Sequence, residues 1–256
     1  MLILHLENMN EPIEIFNLEY PTITKIEDLK SEFYESRKGR FTGSSGKILM
    51  GCTRASSKME WGRVEKIIDF SDTALAYVFA KAKERQRNKV IRTASSAAMN
   101  YGSNQESNVK EILRQRGYEI KDTKFIEFIS GVAGASPDGY IEKNNLALEI
   151  KCSTDWNGLF SRHENPFDES HQDFWQINFE CLSLKTDKCL YVVAEPSENI
   201  FEPNITDISE KIVEASEIHQ KCIIYRCLIA NEIIKLFLNG MNFREAARVA
   251  CSNYEF

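Results

Sequence analysis

The chain has 256 residues, a formal net charge of −6, 43% hydrophobic and 27% charged residues. That composition suits one sizeable core and excludes a disordered or low-complexity chain. No run of about 18 apolar residues is present, which excludes a helical membrane span, and the acidic balance argues against long-range attraction to a polyanion, although a local groove can carry the opposite sign.

In chain order, MLILHLENMNEP starts apolar, carries no basic leader and meets acids at once. It reads as a first strand rather than a signal peptide, and the protein is expected in the cytoplasm. Residues 2–6 and 13–16 look extended, and KIEDLKSEFYESRKG (25–39) looks helical. RFTGSSGKILMG (40–51) is rich in glycine and hydroxyl residues, so a loop or a helix entry is expected there. Residues 60–90 read as one long helix, whose end KAKERQRNKVIR (81–92) holds six basic residues against one acid. A solvated helix face is the favoured reading of that run, with phosphate contact as the sharper one.

SNQESNVKEILRQRG (103–117) reads as a helix, with Ser103 and Glu106 as a capping box and Gly117 as the stop. A strand is expected at 124–129, then two strands around a turn at 142–145, a helix near 170–184 and a strand at 189–196. The rest reads as a long amphipathic helix over about 207–238, closed by Asn239-Gly240, and a short helix after Asn242. This alternation predicts an α/β fold with a mixed sheet flanked by helices. The expected organisation is a core over 1–200 and a helical C-terminal extension, 201–256, packed on the same domain. The seven cysteines, at 52, 152, 181, 189, 222, 227 and 251, form no C-x-x-C pair and no metal-ligand spacing with the four histidines. They read as reduced, mostly buried thiols rather than a zinc or iron–sulfur site.

The stretch GASPDGYIEKNNLALEIKCS (134–153) concentrates the chemistry. Side chains alternate along a strand, so Glu149 and Lys151 share one face while Leu148, Ile150 and Cys152 share the other. A hairpin turning at 143–145 brings Asp138 beside Glu149 or Lys151. Two carboxylates that close repel unless a proton or cation lies between them, and few, anionic oxygen donors suit Mg²⁺, or Mn²⁺ in its place. A lysine beside such an ion can hold a water or balance charge on a phosphorane-like transition state, as phosphodiester hydrolysis requires. A simple Glu149–Lys151 ion pair is the plainer alternative. The apolar setting and the Ser-Pro-Asp-Gly ahead of it favour the catalytic reading.

Ser136-Pro137-Asp138-Gly139 followed by Leu148-Glu149-Ile150-Lys151-Cys152 resembles the PD-(D/E)xK nuclease superfamily, and within it the phage lambda exonuclease, or YqaJ-type viral recombinase, family. The resemblance implies a restriction-endonuclease-like mixed sheet. It implies Asp138 and Glu149 as metal-binding carboxylates, Ile150 as a backbone carbonyl ligand and Lys151 as the catalytic lysine. Asn100-Tyr101-Gly102 and Gln105-Glu106 are similar to an upstream family segment that puts Glu106 on an active-site glutamate. Arg37-Lys38-Gly39-Arg40-Phe41-Thr42-Gly43-Ser44 resembles the segment holding the 5′-phosphate of a DNA end, implying Arg37, preferred over Arg40, with Thr42 and Ser44. Trp175-Gln176-Ile177-Asn178 resembles a Q-x-Q motif in which Asn178 is one methylene short.

Membership implies a 5′-to-3′ exonuclease that degrades one strand of double-stranded DNA with two Mg²⁺ ions and leaves 3′ overhangs for recombination. It further implies a homotrimer paired with a single-strand annealing protein, acting in a bacterial cytoplasm if phage-encoded. Two rivals remain open: an endonuclease or nickase of the same fold, and a non-catalytic DNA-binding or assembly protein. His163 and His171 read as ordinary polar positions, and 238–253 as a packing appendage. Lys151→Ala is expected to abolish turnover with little loss of fold.

Overall fold

The computed structural model describes residues 34–91, 97–153, 155–195 and 207–253, with only the backbone of 97–104. The strands expected at 2–6 and 13–16 and most of the 25–39 helix lie outside the described residues. In chain order the elements are β1 (Phe41–Thr42), a 3-10 turn (Gly43–Ser45), α1 (Gly46–Leu49), α2 (Val64–Ile68), α3 (Asp72–Arg87), α4 (Ala97–Gln115), β2 (Ile126–Ile129), β3 (Ala133–Ala135) and β4 (Gly139–Ile141). There follow β5 (Leu146–Cys152), α5 (Trp156–His163), α6 (Phe174–Leu184), β6 (Lys188–Ala194), β7 (Ile208–Glu214), α7 (Glu217–Leu238) and α8 (Phe243–Ser252). Of the described residues, 34–91, 127–135 and 217–253 fall in one compact unit, and the others in a second. The fold is thus mixed α/β, with two sheets and flanking helices.

In the first unit β1 runs parallel to β3, with Phe41 opposite Ala133 and Thr42 opposite Gly134. The single helix expected over 60–90 is two helices. Ser71 is extended and its hydroxyl accepts from the Ala74 amide at 3.2 Å, which starts α3 afresh. Just upstream, one oxygen of Asp69 accepts from the Thr53 amide (3.0 Å), the Thr53 hydroxyl (2.5 Å) and the Ser56 hydroxyl, so the chain between α2 and α3 is committed to a loop contact. Arg226 on α7 is fully buried. Its guanidinium donates to the carbonyls of Leu49 (3.0 Å), Gly51 (2.5 Å), Lys66 (3.0 Å), Ile67 (2.8 Å) and Asp69 (2.9 Å), and lies 3.8 Å over the Phe70 ring. Backbone carbonyls that no helix or sheet uses are thereby satisfied by one side chain.

In the second unit the sheet order is β4-β5-β6-β7: β4 antiparallel to β5, β5 parallel to β6, and β6 antiparallel to β7. The hairpin expected in 134–153 forms, turning through Glu142–Asn144 and closing on Asn145 at φ +52°, a conformation asparagine tolerates. Leu146, Leu148 and Ile150 pack with Val109 and Leu113 of α4 on one face. Ala147 packs with Ile177 and Cys181 of α6 on the other. The helix expected over 207–238 is wrong at its start. Residues 208–214 are β7, paired with β6, and Ala215 donates to the Asp187 carbonyl before α7 begins. Ile208 and Val213 are buried but Ile212 is 57% exposed, so the apolar spacing there followed neither helix nor strand cleanly. The helix start expected at Ser103 lies further upstream, because α4 runs over Ala97–Gln115 and the backbone of residue 103 is inside it; Gly117, at φ +94°, follows its end as expected. Among the described residues no helix is long and apolar enough to cross a membrane, and the cysteines, all seven of which are described, form no disulfide.

Candidate active site

The hairpin register determines which charges meet in the second unit. Gly139 stands opposite Leu148, and Asp138 sits one step before the β4 ladder, where its amide donates to the Leu148 carbonyl at 2.9 Å. Its carboxylate accepts from the Ile150 amide at 2.7 Å. Glu149 and Lys151 continue the Ala147 face towards α6, while Ile150 points to the α4 core. Glu149 is 2% exposed. Its Oε1 accepts from the Lys151 ammonium at 2.5 Å and from Gln176 Nε2 at 2.6 Å, and its Oε2 is buried with no hydrogen-bond partner. Gln176 also accepts from Lys151 Nζ at 2.9 Å and donates to Glu180 Oε1 at 2.8 Å. Glu180 Oε2 is likewise buried and unpartnered.

The electrostatics follow from crowding. Burial, then the charges of Glu149 and Glu106, hold the Asp138 carboxyl well above the usual carboxylate range. Burial and contact with Glu149 do the same for Glu180. Burial alone would lower Lys151, but the Glu149 and Asp173 carboxylates reverse this and hold it above its ordinary value, so it is an ammonium. Among the described residues, the cations set against Asp138, Glu149, Asp173 and Glu180 are Lys151 and Arg162. The cluster is short of positive charge.

Glu106 lies on α4, ion-paired with Lys110 at 2.7 Å, and its charge reaches Asp138. Asn178 is not brought to the cluster. Two positions from Gln176 it points to the far side of α6, where its amide donates to the Phe174 carbonyl (2.9 Å) and accepts from the Ser216 amide (3.0 Å). Glu180, one helical turn from Gln176, takes the place expected of a second polar residue on this face. The i, i+4 spacing of Gln176 and Glu180 was the available signal for it. Asp173 was also missed. Its Oδ1 lies 3.7 Å from Lys151 Nζ, and its Oδ2 accepts from the Tyr191 hydroxyl at 2.6 Å.

A divalent ion fits this donor set. Among the described residues no group of three or more His, Cys, Asp or Glu side chains gathers as an ion cage. The expected set, however, is two carboxylates and the Ile150 carbonyl, and Oε2 of Glu149 is a buried oxygen with no hydrogen-bond donor, open to a cation or to a proton shared with Glu180. Adding Mg²⁺ or Mn²⁺ is therefore expected to raise the melting temperature of the metal-free protein, by about 2–3 kcal/mol of stabilisation at 100-fold excess over Kd. Glu149→Gln is expected to lose that gain, and calorimetry with and without the ion checks both.

The other residues expected to bind phosphate lie in the first unit. Arg37 sits in the turn 36–39. Gly39 ends that turn at φ +66°, where an added Cβ would stand 2.5 Å from Arg85 Cγ, so only glycine fits. Glu84 accepts from the Gly39 amide (2.8 Å) and Arg85 donates to the Gly39 carbonyl (2.8 Å) and to Asn231 (2.6 Å). In the basic run 81–92, Arg85 and Glu84 thus brace this turn. Arg40 is ion-paired with Glu127. The Thr42 and Ser44 hydroxyls are 3.3 Å apart, and the Thr42 amide donates to the half-buried Tyr77 hydroxyl at 3.3 Å.

A family model described as the YqaJ-like viral recombinase domain matches residues 32–177, more than half of the chain. The chain belongs to this family. The YqaJ-like match spans the candidate residues from Arg37 to Gln176 and stops short of Asn178 and Glu180. The fold is shared with solved exonucleases. An alkaline exonuclease (LHK-Exo) from Laribacter hongkongensis is 18% identical, with a TM-score of 0.59 over 86% of this chain and 99% of that one. LHK-Exo in complex with dAMP matches at the same identity and coverage with a TM-score of 0.58. A phage-related exonuclease from Haemophilus somnus is 16% identical, with a TM-score of 0.58 over 79% of this chain and 96% of that one. No curated protein matches the chain. Family and fold together support a nuclease.

Proposed function

We propose that the protein is a metal-dependent deoxyribonuclease, a 5′-to-3′ exonuclease on double-stranded DNA that leaves 3′ overhangs for recombination. The observation that carries this reading is the buried, cation-deficient Asp138–Glu149 pair with the Lys151 ammonium against it. Asp138, Glu149 and the Ile150 carbonyl would hold Mg²⁺, two ions in the full site, with Mn²⁺ as a substitute. The ion supplies an acidified water and neutralises the leaving oxygen. Lys151 presents fixed positive charge where the phosphoryl oxygens gain negative charge. Gln176 holds Lys151 and Glu149 together through its two amide atoms, and Glu106 adds negative charge at Asp138.

For the DNA end, Arg37 with the Thr42 and Ser44 hydroxyls would receive the 5′-phosphate, a guanidinium fork and hydroxyl donors suiting a terminal phosphate. A homotrimer acting with a single-strand annealing protein in a bacterial cytoplasm completes the reading. The test is Mg²⁺-dependent digestion of linear duplex carrying 5′-phosphate or 5′-hydroxyl ends, beside a closed circular duplex. Expected are release of nucleotides from linear DNA, preference for the 5′-phosphate and intact circles. Cleaved circles would replace the exonuclease by an endonuclease, and no hydrolysis of any substrate would remove the enzyme reading. Arg37→Ala is expected to lower kcat/KM on 5′-phosphate ends by about 10- to 100-fold, the loss of one charge-assisted contact, and to leave 5′-hydroxyl ends unaffected.

A further inference from the structure

The nuclease reading assigns no task to Asp173, although its side chain is among the most constrained in the cluster. Asp173 occupies the N-cap position of α6, where an aspartate side chain ordinarily accepts a hydrogen bond from the second or third helical amide. It makes no such bond. The carboxylate instead faces the sheet, Oδ1 at 3.7 Å from Lys151 Nζ and Oδ2 at 2.6 Å from the Tyr191 hydroxyl and 3.4 Å from Arg162 Nε. Tyr191 reaches it because β5 and β6 are parallel with Glu149 opposite Tyr191 in register. Burial and the Asp173 charge push the Tyr191 phenol up, so it remains a donor.

The backbone of Asp173 is fixed as well. Its amide donates to His171 Nδ1 at 3.2 Å, and His171 Nε2 meets the Arg162 carbonyl at 3.2 Å, which assigns the ring as the neutral Nε2–H tautomer. His171 is packed between Phe167 and Tyr191, with ring centroids 4.5 and 5.9 Å away. A capping bond has been given up for a place beside an ammonium that two further acceptors, Glu149 and Gln176, already hold.

We propose that Asp173, itself held by Tyr191 and Arg162, is a positioning residue that fixes the Lys151 ammonium against Glu149. Its consequence for turnover rests on the nuclease reading; its consequence for the lysine does not. Without Asp173 the ammonium keeps its charge and its close contacts with Glu149 and Gln176 but loses the second carboxylate, at 3.7 Å, that helps define its direction. Substrate contacts are unchanged, so the loss falls on kcat rather than KM.

The test has two arms, both on the full-length chain. In metal-free, isotope-labelled protein, a proton–nitrogen correlation spectrum of the lysine ammonium groups is expected to show a sharp Lys151 signal, assigned by its absence from Lys151→Arg. A half-buried ammonium in close contact with Glu149 and Gln176 and ion-paired with Asp173 exchanges slowly with water. Asp173→Asn is expected to broaden that signal beyond detection, and Tyr191→Phe to weaken it. In the digestion assay with Mg²⁺, Asp173→Asn is expected to lower kcat about 10- to 100-fold with KM changed by less than about twofold, and Asp173→Glu to recover part of the loss. A Lys151 signal that persists unchanged in Asp173→Asn overturns the proposal, as does an unchanged kcat. Should Asp173→Asn not fold, Tyr191→Phe, which keeps the carboxylate charge, decides by the same two readings. A wild-type protein that hydrolyses no DNA sinks the nuclease reading, while the ammonium signal still decides the role of Asp173.

Discussion

Lys151→Ala is expected to slow DNA hydrolysis by at least about 100- to 1000-fold, the cost of removing one fixed stabiliser of transition-state charge. The substitution also has a structural consequence that the sequence did not suggest. Lys151 is the ammonium facing Glu149 at 2.5 Å and Asp173 at 3.7 Å, and both carboxylates are almost fully buried. Removing one partner of a buried pair costs about 3–5 kcal/mol when the other stays charged. Lys151 is itself 19% exposed at its side chain, and water reaching the vacated space weakens the penalty, so the loss should be smaller. The metal-free variant should therefore melt several degrees below wild type, with wild-type circular dichroism at low temperature. A melting curve and a single-turnover digestion measure the two effects separately. Hydrolysis at the wild-type rate would take Lys151 out of the site.

Arg226→Met is expected to be the most destabilising single change in the first unit, although it touches no candidate site residue. The side chain volume is roughly kept, but five backbone carbonyls lose the guanidinium at once, although those of Gly51 and Lys66 keep another donor, the Ser71 amide and the Cys52 thiol. Each buried acceptor left unmade costs about 1–3 kcal/mol, partly relieved where water can enter. A net loss of about 4 kcal/mol is expected, or on the order of 10 °C in the transition of this unit. Arg226→Lys should fall between, because a point ammonium cannot serve carbonyls spread around a guanidinium fork. Differential scanning calorimetry orders the three proteins, and equal melting temperatures for Met and wild type would show that the carbonyls find other donors.

Local chemistry was legible in the sequence and long-range chemistry was not. The hairpin from Gly139 to Cys152 could be read because its turn, its alternation and its charges sit within twenty residues. Gln176 could be placed on the helix behind it by motif. Asn178 misled because a Q-x-Q pattern says nothing of helix azimuth: two positions on, a side chain points away. Asp173 and Tyr191 were invisible because their meeting depends on the β5–β6 register, a pairing of residues more than forty apart. β7 was mistaken for helix because its burial is set by its neighbour β6 and does not alternate cleanly. Arg226 looked like one more residue of an amphipathic helix; its worth lies in carbonyls supplied by segments some 160 to 180 positions away.

One strand carries a further consequence. Along β5 one face is uninterrupted hydrocarbon, Leu146, Leu148 and Ile150, while the other runs from Ala147 through Glu149 to Lys151. A slip of one residue against β6 would drive a carboxylate and an ammonium among Val109, Leu113 and Val192, and turn two aliphatic side chains towards a nest of acids. The wrong alignment is therefore ruled out by the ions themselves. The same two charged groups also proofread the folding of the sheet that holds them, and a variant with both charges replaced by leucine should fold into a mixture of alignments.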